Sequence, residues 1–379
     1  MVYLMSILNE YLKNNQTMDT LRDLGLQIKN KDNYVHISYD RSISNMENNI
    51  VKECRGVIYD LDTKKIISIS LKCKNTLEHF LENVHWNNCV IEESIDGTLI
   101  NLFYSNNVWR VSTKKTFDAE CKWLSTKTFR ELFWETLNNE SRFNLNHLNK
   151  DFCYSFILCH PECRNITKYD KPMLFHISSI YLNNLNEYDE DIGIQKPSVL
   201  KLDNYNILNC HSYNELLVKL DKLHYTKEGF MLYSKDRKYR TKLFGKEHLR
   251  VKDLKGSYSV MDLRIVELRG MNNKLNEFLE YFPEYKNNVD IMENRIKKIG
   301  ILILQYYTLV KKEKKQTDIP PILKKVIYEL HGEYIKLKAH YNPLKHTYKP
   351  TITLAKIIHW LNHIHPKQLC NILNWYQTI

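Results

Sequence analysis

The tetrapeptide Ser94-Ile95-Asp96-Gly97 is the segment of this chain whose residue types most clearly indicate chemistry. A lysine two positions before Asp-Gly can attack a nucleotide α-phosphate and keep the nucleotide as a phosphoramidate. Position 94 is serine, and a hydroxyl group cannot form that bond. The Asp-Gly step still fits a turn at which glycine lets the backbone approach a nucleotide. The sequence therefore predicts a nucleotide-binding turn that lacks its nucleophile.

Apolar runs and alternating patterns on both sides of the tetrapeptide predict the β-strands that would position it. We expect strands at residues 34–39, 56–60, 66–70, 89–92, 99–104, 108–112, 153–159, 173–181, 228–233 and 238–244. Helical spacing of apolar residues predicts helices at 118–138 and 212–223. Because several of these strands follow one another through short turns, the sheets should be antiparallel.

The pattern becomes wholly helical beyond residue 250. Apolar residues at helical spacing predict helices at 263–282, 289–311, 321–338 and 353–375, separated by turns that contain Pro and Asn. We therefore predict an α+β domain at residues 1–250 and an all-helical domain at 251–379, with the boundary near 245–256.

Positive charge is concentrated in the helical part. The net charge is +11, and residues 251–379 contain 21 Lys and Arg against 12 Asp and Glu. A basic domain beside a nearly neutral one indicates a partner that carries phosphates, most simply nucleic acid. The alternative is a solvated lysine-rich surface. Four tyrosines could stack on bases, although their helical spacing favours a core position; they are Tyr306, Tyr307, Tyr334 and Tyr341.

The ends and the apolar runs of the chain predict an intracellular protein. Residues 1–8 lack the basic start of a secretory signal. The longest apolar run, residues 299–310, is interrupted by Gln305 and is too short to span a bilayer.

Six short motifs follow one another in a fixed order. They are ECRGVIY at 53–59, SIDGT at 94–98, WRVSTK at 109–114, YSFIL with PECR at 154–164, KEGFM at 227–231 and YRTKL at 239–243. Their order resembles the RNA ligase 1 family of T-even bacteriophages, within the covalent nucleotidyltransferases that include DNA ligases and capping enzymes. The resemblance covers about residues 30–250. It implies an antiparallel-sheet nucleotidyltransferase (ATP-grasp-like ligase) domain followed by the family's separate all-α C-terminal domain.

The resemblance also implies roles for residues at matching positions, with ATP and Mg²⁺ or Mn²⁺ as cofactors. Arg55 would contact the phosphates of the nucleotide, and Lys74, or less certainly Lys72, would add positive charge. Glu228 matches a carboxylate that orients a metal ion or the lysine. The remaining implied nucleotide-binding residues are Asp96, Gly97, Lys114, Gly229, and the pair Arg240 and Lys242 that would hold the α-phosphate.

Three positions depart from the family pattern. Ser94 replaces the lysine nucleophile, and Ser155 stands where we expect a glutamate that binds ribose or metal. A hydroxyl is a poorer ligand than a carboxylate for a hard cation. Arg240 replaces a lysine but keeps the charge.

These losses favour a pseudoenzyme that binds ATP, RNA ends or both, through the retained basic residues and the basic helical domain, but cannot form the lysyl-adenylate. One alternative is an RNA ligase that seals pre-adenylated ends or uses a displaced lysine, from among Lys72, Lys74 and Lys114. Another is a non-catalytic structural or interaction protein. The motif order and an Asn-, Lys-, Ile- and Tyr-rich composition suit a large DNA virus, which would place the protein in the host cytoplasm.

Overall fold

The structure is a computed structural model that describes residues 7–14, 18–341 and 350–376. The chain divides into two compact units, Met1–Asp253 and Leu254–Ile379. Residues 1–6, most of the segment in which we looked for a secretory signal, and residues 342–349 of the basic region lie outside the described part. No helix within the described part is long and apolar enough to cross a bilayer.

The first unit begins with two short helices and a four-stranded antiparallel sheet. Its elements are α1 (Ile7–Lys13), α2 (Met18–Asp23), β1 (Leu26–Lys31), β2 (Tyr34–Tyr39), α3 (Asn49–Glu53), β3 (Arg55–Asp60) and β4 (Lys65–Ser68). The strand order is β1-β2-β3-β4. Alternate residues of β2 and β3 bury Val35, Ile37 and Val57 in one apolar core, so the predicted hairpin at residues 56–70 forms β3 and β4.

Two five-stranded antiparallel sheets complete the first unit. Their elements, with flanking helices, are α4 (Leu77–Asn83), β5 (Cys89–Ser94), β6 (Thr98–Ser105), β7 (Val108–Ser112), α5 (Phe129–Asn138), β8 (Phe152–Cys159), β9 (Met173–Tyr181), β10 (Asn186–Tyr188), β11 (Val199–Leu202), β12 (Tyr205–Asn206), α6 (Tyr213–Asp221), β13 (Gly229–Ser234), β14 (Arg240–Phe244) and α7 (Lys246–Lys255). The strand orders are β10-β9-β8-β6-β7 and β12-β11-β5-β13-β14. The predicted α+β class with antiparallel sheets is confirmed.

The turn that contains Asp96 connects two different sheets. β5 ends at Ser94 in one sheet and β6 begins at Thr98 in the other. A Cβ at Gly97 would lie 2.6 Å from the carbonyl oxygen of Leu158 and 2.5 Å from a methyl group of Ile157. Only glycine lets the turn pack this closely against β8, so Gly97 is needed for the crossing itself.

The helix expected at 118–138 is shorter than predicted. Only α5, Phe129–Asn138, is helical, because Thr128 caps its N-terminus and forms a capping box with Glu131. Ala119 and Leu124 have positive φ angles that a helix does not accommodate. The predicted start was wrong because apolar residues with helical spacing also occur before the Thr128 cap.

The second unit is helical, as expected from its sequence. Its elements are α8 (Asp262–Arg269), α9 (Lys274–Tyr281), α10 (Lys286–Tyr307, continued by a π-helical turn Thr308–Lys312), α11 (Pro321–Ala339), α12 (Leu354–His363) and α13 (Pro366–Tyr376). Two predicted helices are each divided. The first is interrupted at Gly270 and at Asn273, whose φ is 58°, and the second by Pro366, which occupies the first position of α13.

α10 packs against α11, α12 and α13 through a stripe of apolar residues. Ile296, Ile299 and Ile303 are buried on that face. Tyr307 is also buried, and its hydroxyl lies 3.2 Å from Nδ1 of His331. This tyrosine is therefore part of the core and does not offer its ring for stacking on a base.

Gly229 is needed for the pairing of β13 with β14 in the sheet β12-β11-β5-β13-β14. Its φ is +139°, and a Cβ there would lie 2.0 Å from the carbonyl oxygen of Leu243 on the paired strand. We expect Gly229→Ala to lower the free energy of unfolding by about 1–3 kcal/mol. Gly332→Ala is the matched control, since Gly332 lies within α11 with open space around it, and should raise stability by about 0.5–1 kcal/mol. Denaturant unfolding measures both, and an unchanged midpoint for Gly229→Ala contradicts this role.

Candidate functional site

Two adjoining cavities of the first unit contain most of the residues singled out from the sequence. The larger, about 530 Å³, is here called the cationic cavity, and it is lined by Ser38, Tyr39, Asp40, Arg41, Arg55, Gly56, Lys74, Asn75, Thr76, Lys114, Lys115, Thr241, Lys242 and Phe244. The smaller, about 170 Å³, is here called the inner cavity, and it is lined by Arg55, Leu71, Lys74, Glu92, Glu93, Ser94, Ile95, Gly97, Leu99, Ile157, Ile177, Pro197, Met231, Tyr233, Arg240 and Lys242.

Arg55, Lys74 and Lys242 line both cavities and so mark their junction. Arg55 is the first residue of β3, Lys74 follows β4, and Lys242 lies on β14. The guanidinium of Arg55 donates a 3.0 Å hydrogen bond to the carbonyl oxygen of Leu71, which holds its charge at the junction. Three elements distant in sequence therefore bring three cations to the place where the inner cavity, lined by both apolar and charged residues, opens into the cationic cavity.

The cationic cavity has a strong excess of positive charge. Six of its lining residues are Arg or Lys, and Asp40 is its one carboxylate. Burial lowers the pKa of Lys114, and the neighbouring charges of Arg55 and Lys115 lower it further. Such clustering of like charges suits a ligand with several negative charges.

Lys74 has the most strongly shifted amine at the junction. Burial is the largest cause, and the charges of Lys242 and Arg55 add to it, so that the pKa falls to about 7. The Lys74 ammonium therefore loses its proton much more readily than that of an unperturbed lysine, whose pKa is about 10.4.

Glu228 joins Ser94 to Lys242 at the wall of the inner cavity. The Ser94 hydroxyl donates a 2.7 Å hydrogen bond to Oε2 of Glu228. Nζ of Lys242 lies 2.5 Å from the same oxygen. Burial lowers the pKa of Lys242, and the Glu228 carboxylate opposes this shift. Ser94 and Lys242 thus share a buried carboxylate.

Asp96, Glu228 and His248 form the one buried group in the described part of the chain whose ligand atoms could hold a metal ion. These atoms lie within 4.8 Å of one another. Oδ2 of Asp96 accepts backbone hydrogen bonds from Ile166 and Thr167, at 2.8 and 2.7 Å. Nδ1 of His248 lies 2.9 Å from the carbonyl oxygen of Tyr225, so this nitrogen carries the proton and Nε2 can act as a ligand.

Arg240 forms different contacts from Lys242, the other basic residue of the pair on β14. Its guanidinium forms an ion pair with Glu187, and the two side chains are only 3% and 7% exposed. The ring of Tyr233 lies 5.6 Å from the guanidinium carbon. Arg240 borders the inner cavity, but its charge is compensated within the protein, which leaves Lys242 as the residue of this pair that faces the cationic cavity.

Ile157, and not Ser155, is the residue of β8 that lines the inner cavity. Ser155 is fully buried, and its hydroxyl donates a 3.1 Å hydrogen bond to Asn101. The expectation that Ser155 borders the nucleotide pocket is therefore wrong, since Ser155 lines neither cavity. Its match to a carboxylate of the family stays a prediction.

Several site residues were missed from the sequence. His248 lies on α7, which fell within the assumed boundary between domains. Phe244 and Lys252 were also missed: the Phe244 ring centroid lies 4.7 Å from Nζ of Lys242, 4.9 Å from Nζ of Lys252 and 5.9 Å from Nζ of Lys74. The sequence around Phe244 does not indicate that its ring lies near three lysines from different segments. Lys72, the less certain alternative to Lys74, is exposed and lines neither cavity.

The chain is similar in sequence to viral proteins named as RNA ligases. It is 28% identical over 157 residues to an RNA ligase of Rhodothermus phage RM378, covering 35% of this chain and 36% of that protein. It is 23% identical over 269 residues to a putative bifunctional polynucleotide kinase/RNA ligase of Autographa californica nuclear polyhedrosis virus, covering 66% and 38%. A putative RNA ligase of African swine fever virus (strain Badajoz 1971 Vero-adapted) is 24% identical over 177 residues, covering 40% and 38%.

The chain matches only 36–38% of the length of these relatives. No protein-family model matches the chain. Among solved structures, an archaeal ATP-dependent RNA ligase has a TM-score of 0.46 at 11% identity, covering 66% of this chain and 64% of that one. A Naegleria gruberi RNA ligase variant with ATP and Mn has a TM-score of 0.38 at 12% identity, covering 49% and 58%. These structural likenesses are too low to carry an assignment, and the sequence relatives support an RNA-ligase-like protein.

The ion pair of Arg240 and Glu187 should stabilise the fold. We expect Glu187→Gln to lower the free energy of unfolding by about 3–5 kcal/mol, because it leaves a buried guanidinium uncompensated. The pKa of Glu187 is lowered by Arg240, against the effect of burial, so the stabilisation is present above the carboxyl's ordinary pKa and is lost as the pH falls through the lowered one.

Glu120→Gln is the control for that experiment. Its partner Arg130 forms an exposed ion pair, with side chains 49% and 53% exposed, and the loss should be below about 1 kcal/mol. Denaturant unfolding at pH 7 compares the two variants, and equal losses would show that Glu187 has no special structural role.

The amine of Lys74 should react with acylating reagents at unusually low pH. Competitive labelling with acetic anhydride, followed by mass spectrometry of the peptides, should give a midpoint near pH 7 for Lys74, since its pKa is about 7. The exposed Lys72 gives the reference reactivity in the same segment. A midpoint for Lys74 above pH 9 would contradict the shift.

Proposed function

We propose that this chain is an RNA-ligase-like protein that binds ATP across the two cavities, with the adenosine in the inner cavity and the phosphates in the cationic cavity. The shared lining by Arg55, Lys74 and Lys242 carries this proposal. The inner cavity of about 170 Å³ has apolar side chains such as Leu99, Ile157 and Met231 in its wall and opens past three cations into the larger cationic cavity. This arrangement suits a nucleotide, whose base is less polar than its phosphates.

The α-phosphate of such a nucleotide would lie at the junction. Arg55 and Lys242 would bind it there, and Lys114 and Arg41 would bind the phosphates further into the cationic cavity. Charge-assisted hydrogen bonds of this kind are stronger than neutral ones. Arg240 would act by orienting Tyr233 and the inner cavity, since its own charge is bound to Glu187.

Residue 94 cannot carry the nucleotide. The Ser94 hydroxyl is bound to Glu228, and an oxygen cannot form the phosphoramidate of a lysyl-adenylate. Ser94 therefore cannot serve as the nucleophile, as the pseudoenzyme hypothesis requires. The sealing of pre-adenylated RNA ends remains compatible with this chain, because that step needs no new bond to residue 94 and the Glu228–Lys242 pair is present.

Asp96, Glu228 and His248 would hold a divalent cation next to Ser94 and Lys242, which contact Glu228 and line the inner cavity. Two carboxylates and one imidazole suit Mn²⁺ better than Mg²⁺, which prefers a shell made entirely of oxygen atoms. The hydrogen bond from Nδ1 of His248 to a backbone carbonyl is the usual support of a metal-binding histidine.

RNA is the second proposed ligand. The viral relatives are named RNA ligases, and residues 251–379 contain 21 basic against 12 acidic residues. Binding through this unit should depend strongly on salt and weakly on sequence. A purely structural protein is the competing hypothesis, and it offers no reason for six cations around a single cavity.

Calorimetry with ATP and with adenosine tests the nucleotide site. We expect saturable ATP binding in the presence of Mn²⁺, weakened about tenfold by Lys114→Met, since one charge-assisted phosphate contact contributes about 1.4 kcal/mol or more. Adenosine binding should be unaffected by the same variant, because adenosine carries no phosphate. Lys171→Met, an exposed lysine outside both cavities, is the control. No measurable ATP binding, or equal losses for ATP and adenosine, would exclude the proposed orientation.

A further inference from the structure

The backbone that carries Lys74 is fixed beside β14. The amide of Asn75 donates a 2.8 Å hydrogen bond to the carbonyl oxygen of Arg240. Oδ1 of Asn75 accepts a 3.0 Å hydrogen bond from the Arg240 amide, and its carbonyl oxygen accepts a 3.1 Å hydrogen bond from the Thr241 hydroxyl. Three hydrogen bonds therefore fix Asn75 to Arg240 and Thr241 of β14, and the neighbouring residue Lys74 lines both cavities.

The environment of Lys74 differs from that of the other lysines in the site. Lys242 also lies at the junction, but it is bound to Oε2 of Glu228. Lys114 lines only the cationic cavity. Lys74 forms no ion pair with a carboxylate in the described part of the chain. It is thus the one junction lysine there whose amine is free to react.

We propose that Lys74 is the nucleophile that replaces the missing lysine at position 94 and that it accepts AMP from ATP. This inference rests on the proposed nucleotide orientation, which places the α-phosphate at the junction. Ser94 and Lys74 line the inner cavity from different elements, so the amine reaches the junction from the segment after β4 and not from the end of β5.

The chemical step balances without a further reactant. The neutral amine of Lys74 attacks the α-phosphorus, a P–N bond forms, and the bond from phosphorus to the oxygen of the β-phosphate breaks. Pyrophosphate leaves with that electron pair, and the nitrogen loses a proton to solvent. Arg41, Lys114 and Lys115 line the part of the cationic cavity that the inner cavity does not share, so positive charge is available for the departing pyrophosphate.

The charged groups around Lys74 define the pH dependence of this step. Lys242, Arg55 and Arg41 disfavour the ammonium form, and Glu228 favours it. In the free protein these effects, with burial, hold the pKa of Lys74 near 7. Bound phosphates favour the ammonium, so the adduct should form faster as the pH rises from 6 to 9.

The full chain is incubated with α-labelled ATP and Mn²⁺ or Mg²⁺, and covalent label is measured after denaturing electrophoresis. We expect acid-labile, alkali-stable label, release of pyrophosphate, and the mass of AMP on the peptide that contains Lys74. Lys74→Arg keeps a basic side chain and removes the nucleophile, so label should fall at least a hundredfold while calorimetry still detects saturable ATP binding. Lys72→Arg, an exposed lysine of the same segment, should label as the unchanged chain does.

Calorimetry separates the two possible failures. Saturable ATP binding without covalent label, with either metal and across pH 6–9, overturns the role of Lys74 and leaves the nucleotide site in place. Absence of ATP binding overturns the nucleotide site and this inference together. Label that persists in Lys74→Arg, or that maps to another residue, also overturns the assignment.

Discussion

The buried carboxylate of Glu228 is the interaction on which the arrangement of the site depends. It stands just before β13 and accepts hydrogen bonds from Ser94 and Lys242 through a single oxygen. A buried charge must be paired or it is strongly unfavourable, so these contacts fix the end of β5 and the side chain of β14 relative to each other. Glu228 also belongs to the buried group with Asp96 and His248, so this pairing adjoins the three residues whose atoms could hold a metal ion.

Two backbone features let this carboxylate reach its partners. The crossing between sheets at residues 95–97 requires Gly97, which approaches the carbonyl of Leu158 more closely than a Cβ allows. Gly229, next to Glu228, has a φ of +139° and pairs with both Ser94 and Phe244. Gly97 is thus needed for the crossing from the sheet of β5 to the sheet of β6, and Gly229 for the close pairing of β13 and β14.

Much of the first unit could be predicted from the sequence, because its strands are short, apolar and separated by local turns. The strands at 34–39, 108–112 and 173–181 have the predicted bounds. Helix ends were harder to predict, since α5 begins at the Thr128 cap and not where helical spacing starts. Ser155 was assigned to the cavity because the order of the motifs does not show which residues of β8 face it. Strand alternation would allow Ser155 and Ile157 to share a face, and only the structure distinguishes which of them lines the cavity.

The electrostatics of the junction could not be predicted, because they arise from residues distant in sequence. Arg55, Lys74 and Lys242 come from three separate elements, and each lysine looks like an ordinary surface charge when it is considered alone. The motif at 94–97 shows a serine where the resemblance implies a lysine, but it gives no information on the other residues that line the cavities.

The concentration of cations in one cavity argues against a site retained only for packing. Like charges a few ångströms apart repel each other by several kcal/mol when they are partly buried, at an effective dielectric constant of about 20. The lowered pKa values of Lys74, Lys114 and Lys242, for which burial is the largest cause, show how unfavourable their ammonium forms are in the free protein. Apolar side chains would fill the same space at lower cost in free energy. A bound anionic ligand would make the cations favourable, because the attraction of each cation to the ligand would outweigh the repulsion between the cations. Ser94 does not line the cationic cavity, so this charge arrangement does not depend on the residue at position 94.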